Sequence, residues 1–107
     1  MRQTKENHKM PSHQIHISMD EVLFGRGTFF PEVHKYMDQM QPYLQSNHRK
    51  FYHDMETVNN IYYMTGNYLM ALSAYFHILL DLTSDDVGQE HAIAELTERI
   101  KRGEIRL

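Results

Sequence analysis

The chain has 107 residues, 41% hydrophobic and 23% charged, with a formal charge of −3. This fits one globular domain with a modest core and leaves no basic surplus to draw nucleic acid. With no cysteine, a disulfide scaffold and a thiolate metal site are excluded. No signal peptide is recognisable, so a reducing, cytoplasmic setting is expected.

Residues 1–13 are polar and carry Pro11, which reads as a flexible lead-in with solvated His8 and His13; residues 14–107 then form a single helical domain. Residues 14–18 alternate polar and apolar, as a short strand would. Their one obvious partner is the alternating tail 104–107, so a two-stranded pairing of the termini is expected. Asp20 can cap a helical turn through Leu23 and Phe24. The Gly25-Arg26-Gly27-Thr28 loop that follows reads as a plain turn, although Arg26 and the loop amides could also hold an anion.

Pro31 suits a first helical position and Glu32 favours the helix N-terminus, so a helix is predicted over 32–41, carrying Val33, Tyr36, Met37 and Met40. His34 and Asp38 lie one turn apart at the border of its apolar arc. A helix over 47–65 follows, capped by Ser46 or Asn47 and ended by Gly66. Its core face reads Phe51, Met55, Val58 and Tyr62, widened by Tyr52 and Ile61. On that wheel His48 and Asp54 point inward, with Arg49 and His53 at the rim.

Residues 67–82 are apolar almost all round, the mark of a central helix packed on several sides. Ser73, His77 and Asp81 interrupt this with a polar stripe at four-residue spacing. Buried polar and charged groups need partners, so something must meet that stripe. A turn over 83–88 then leads to a last helix, starting at Ser84 or Asp85 and running to Arg102, with Gly103 as its stop. Its inner stripe is Ala92, Ile93, Leu96 and Ile100, which leaves His91 facing solvent.

The predicted fold is an all-α compact bundle of about four helices with a central apolar helix. Its central three helices each carry a His and an Asp near the inner side, and converging imidazoles and carboxylates are how bundles build metal sites. The candidate metal ligands are His34, Asp38, His48, His77 and Asp81. An all nitrogen and oxygen set suits a divalent metal such as Zn, Mn, Fe or Ni. Neither the Glu-x-x-His pattern of di-iron bundles nor His-Glu-x-x-His is present, which disfavours those oxidases and peptidases.

Hydrolysis by a metal-activated water is the natural chemistry of such a site. Asp54, His53 and Arg49 are the candidate catalytic residues, and Arg26 is the candidate cation for a bound phosphate group. The expected function is therefore a metal-dependent phosphoester hydrolase with a small-molecule substrate, a nucleotide being the class considered. Two rivals stand beside it: a module that binds or sequesters a nucleotide or other anion, and a structural oligomer with a buried Ser/His/Asp network. The Met and Tyr content permits an oligomer interface, and a homodimer is the expectation for a core this small. No membrane partner is expected, because the apolar run is too short and too polar.

Two resemblances bear on this reading. The order His34, His53-Asp54, Asp81 is similar to the HD phosphohydrolases, helical enzymes in which a first His, the His-Asp doublet and a later Asp bind metal; here the later Asp comes sooner. A second pattern comprises His16-x-Ser18, Phe24-Gly25, Val33-His34-x-x-Met37-Asp38, His48-Arg49 with His53, and Gly88-Gln89-Glu90-His91. It resembles a family of small His-rich bacterial and phage proteins of unknown function, which have His-His where this chain has His53-Asp54. That resemblance implies that His16 and His91 join the site.

Overall fold

Asn67 starts the longest helix by accepting hydrogen bonds from the Leu69 and Met70 amides, while Gly66, in the left-handed region at φ 65°, closes the helix before it. The computed structural model describes residues 13–39 and 53–105. Among them are five helices, α1 (His13–Phe24), α2 (Pro31–Met37), α3 (Met55–Thr65), α4 (Tyr68–Val87) and α5 (Ala92–Lys101), with a 3-10 turn over Gln89–His91. The architecture is the all-α compact bundle expected from the sequence, with α4 in contact with each of the other four helices.

Two apolar clusters lie along α4. Ala71 and Ala74 pack with Val33 and Met37 of α2 and Val58 and Ile61 of α3. Further along, Phe76 and Leu80 pack with Met19 of α1 and with Ala92 and Leu96 of α5. Between these contacts the Ser73–His77–Asp81 stripe forms a further inward side of α4, buried to 0%, 1% and 3% exposure, while Tyr68, Leu69 and Leu82 reach the surface.

Several boundaries differ from expectation. Residues 14–18 belong to α1, so the two-stranded pairing of the termini does not form; no strand occurs among the described residues. Five alternating residues are too few to outweigh burial at helical spacing, and His16, Ile17, Met19 and Asp20 all face inward. Asp20 is thus buried in mid-helix instead of capping a turn. Helix α2 ends at Met37, with Asp38 as its C-cap.

Helix α4 continues through the expected 83–88 turn to Val87. The Thr83 hydroxyl donates to the Leu79 carbonyl at 2.8 Å, and both Thr83 and Ser84 are buried, so packing overrides their turn preference. Gly88, at φ 88°, makes the stop instead, and α5 begins at Ala92. In α3, Val58 and Ile61 are buried as expected, but Met55 and Tyr62 are 52% and 46% exposed, because contact with α4 needs only a narrow stripe. Phe51 and Tyr52 lie outside the described residues. No described helix is long and apolar enough to cross a membrane.

Candidate metal centre

Four donor atoms from three stretches of chain meet beside the middle of α4. His77 and Asp81 come from α4 itself, one turn apart, and Asp38 comes from the C-cap of α2. His53 comes from the residue just before the α3 N-cap, Asp54. His53 Nε2 lies 3.3 Å from Asp38 Oδ1 and 3.2 Å from Asp81 Oδ2; His77 Nε2 lies 3.1 Å from Asp38 Oδ1 and 3.7 Å from Asp81 Oδ2. Each imidazole nitrogen therefore sits between the same two carboxylate oxygens. Donors around a tetrahedral ion with bonds of ~2.0–2.2 Å lie roughly 3.3–3.6 Å apart, so these separations match a single metal position.

The electrostatics agree with that geometry. Burial alone would raise the Asp38 carboxyl, but hydrogen bonds from His53 and His77 outweigh it and hold it well below the carboxylate range. Burial acts the same way on Asp81, and bonds from His16 and His53 again bring it below the ordinary value. Burial, followed by the nearby charge of His16, pushes His77 down to about 3. The cluster thus presents two ionised carboxylates beside a neutral His77, and a divalent cation is a natural balance for that charge.

A second group of close imidazoles, His16, His34 and His77, has a different character. The His16 and His77 rings stack with centroids 3.6 Å apart and planes within 10° of parallel. Their in-plane lone pairs run side by side and do not meet at one ion. His34 and His77 face each other Nδ1 to Nδ1 at 2.9 Å, the distance of an N–H···N hydrogen bond.

Helix α1 supplies the outer contacts. His16 Nε2 donates to Asp81 Oδ1 at 3.1 Å, which leaves Oδ2 turned toward His53 and His77. Asp20 takes three donors: His34 Nε2 at 2.7 Å and the Phe30 amide at 3.0 Å on one oxygen, and the Ser73 hydroxyl at 2.7 Å on the other. The partners demanded by the α4 stripe are therefore Asp20, His34, Asp38, His16 and His53.

Of the residues singled out from the sequence, His34, Asp38, His53, His77 and Asp81 are brought together, with His34 one contact removed from the four converging donors. The His53-Asp54 pair is oriented opposite to the helical-wheel expectation. The His53 side chain is 3% exposed and inside, whereas Asp54 is exposed and caps α3, accepting from the Thr57 amide and hydroxyl at 2.9 Å each. The wheel does not apply here, because both residues precede the first helical position, Met55. Arg26 is exposed, and its loop is closed internally by the Gly27 amide donating to Glu21 and the Thr28 amide donating to the Gly25 carbonyl.

His48 and Arg49 lie outside the described residues. His13 is exposed on α1, edge-on to His34 at 6.0 Å. His91 is exposed, as expected, although it lies in the 3-10 turn before α5 and not on that helix, and it is absent from the cluster. Asp20 was missed by sequence reasoning although a signal was available: His16 and Asp20 share the His-x-x-x-Asp spacing of His34–Asp38 and His77–Asp81.

Fold and site together define a helical bundle with a buried His/Asp cluster that could hold a metal ion. No family model, curated protein or solved structure matches the chain.

Proposed function

We propose that the protein is a divalent-metal-binding domain, with Asp38, His53, His77 and Asp81 as the ligands, and that the ion activates water for hydrolysis of a phosphoester. The observation that carries the metal reading is the convergence of two imidazole nitrogens and two carboxylate oxygens at separations of 3.1–3.7 Å. Two nitrogens and two oxygens fit Zn, Mn, Fe(II) or Ni better than a soft-ligand copper site.

The hydrolytic reading rests on access. The Asp38 side chain is 25% exposed whereas His53, His77 and Asp81 are nearly closed off, so solvent reaches the cluster from the Asp38 side. An ion bound there would lower the pKa of a water entering by that route.

The test is elemental analysis of protein purified without a His tag, followed by assays of nucleotides and simpler phosphoesters with the metal found. One ion per chain and metal-dependent turnover are expected. One ion without turnover would reduce the protein to a binding module. No ion, even after incubation with Zn, Mn and Ni salts, would leave the cluster as a buried hydrogen-bond network that fixes helix register.

A further inference from the structure

A chain of three short contacts runs through the core from Asp38 to Asp20: Asp38 Oδ1 to His77 Nε2 at 3.1 Å, His77 Nδ1 to His34 Nδ1 at 2.9 Å, and His34 Nε2 to Asp20 Oδ2 at 2.7 Å. Each contact needs one proton to be a hydrogen bond. Two neutral imidazoles carry only one N–H each, and an ionised carboxylate carries none. With His34 and His77 both neutral and Asp38 and Asp20 both ionised, the three bonds would share two protons.

A cation between Asp38 and His77 resolves the shortage. His77 then offers the ion its Nε2 lone pair and keeps its proton on Nδ1, from which it donates to His34. His34 keeps its proton on Nε2 and donates to Asp20. The far end of the chain is well anchored, since Asp20 also accepts from the Phe30 amide and the Ser73 hydroxyl and is 1% exposed.

Resting on the metal reading above, we infer that Asp20, acting through His34, is the positioning residue that fixes the tautomer of the metal ligand His77. Neither Asp20 nor His34 touches the ion. The arrangement extends the pairing of ligating histidines with carboxylates by one imidazole, and such partners commonly change metal affinity 10–100-fold when removed. The same line of bonds gives the ligand a defined route along which a proton is held away from the metal.

The experiment is a zinc titration against a competing chelator for the wild type and Asp20→Asn, with circular dichroism of both metal-free proteins. The zinc-loaded wild type is also examined by two-bond 1H–15N spectra of its imidazoles. Zinc affinity should fall about 10–100-fold in a folded Asp20→Asn protein, and His77 should carry its proton on Nδ1 with Nε2 on zinc. A folded variant with affinity within threefold of wild type, or His77 protonated on Nε2 in the zinc form, overturns the inference while the metal reading stands. If the variant does not fold, the wild-type tautomer decides alone. A wild type that binds no zinc, Mn or Ni overturns both readings.

Discussion

His16–Asp20 on α1 and His77–Asp81 on α4 have the same four-residue spacing and are all at most 3% exposed, but their side chains do different work. On α4 the pair turns to one point, where His77 Nε2 and Asp81 Oδ2 join His53 and Asp38. On α1 the pair divides, with His16 holding Asp81 and Asp20 holding His34. Helical spacing guarantees that two groups share a face. Whether they converge on one point or hold the groups that do depends on the neighbouring helix.

The comparison is broken most sharply by removing one histidine from each pair. His77→Ala should lose metal entirely, since it takes away a donor, whereas His16→Ala should retain a stoichiometric ion with affinity lowered roughly 10–100-fold. Elemental analysis after dialysis against a chelator series separates the two. Equal loss in both variants would place His16 among the ligands.

Acid should act on the α4 side of the comparison. His77 titrates at 6.5 when unfolded and is pushed down to about 3 when folded. Between those values the unfolded chain binds the extra proton, so stability rises with pH and is lost on acidification. Asp38 and Asp81, held below the ordinary carboxylate range, add to the loss in the same direction once the pH falls below their unfolded values. Urea unfolding of metal-free protein should show a decrease of up to ~2 kcal/mol between pH 7 and pH 5. That slope should flatten in His77→Ala.

The smallest effect belongs to a residue that the sequence placed in the site and the structure does not. Asp54→Ala removes the α3 cap and should cost about 1 kcal/mol of stability in thermal or urea unfolding. Metal affinity should stay the same. A large fall in affinity would mean that the cap also sets the position of its neighbour His53.

The central helix was legible because its composition has one explanation: a rod apolar on nearly every side must be packed on nearly every side. The demand of Ser73, His77 and Asp81 for partners followed from the cost of burying polar groups. What the sequence hid was of three kinds. At residues 14–18 a five-residue alternation imitated a strand, and with it the third His-x-x-x-Asp pair was lost. At His53 the error was one of phase, because a helical wheel assigns directions only to residues inside a helix, and this one precedes the cap. Thr83 and Ser84 show a third limit, since residues with a turn preference continue a helix when they are buried in it, as both are here, the Thr83 hydroxyl also bonding to the Leu79 carbonyl.

The chain contains no cysteine, yet the proposed ligand positions 38, 53, 77 and 81 are far enough apart in sequence to act as a cross-link. An ion held by them would join Asp38 to His53 across fourteen intervening residues and join both to α4. A permanent tie around a loop of about 15 residues removes roughly 3 kcal/mol of unfolded-state entropy. A metal bond is reversible, so this staple would loosen with chelation or acid and would stiffen the bundle in proportion to metal supply.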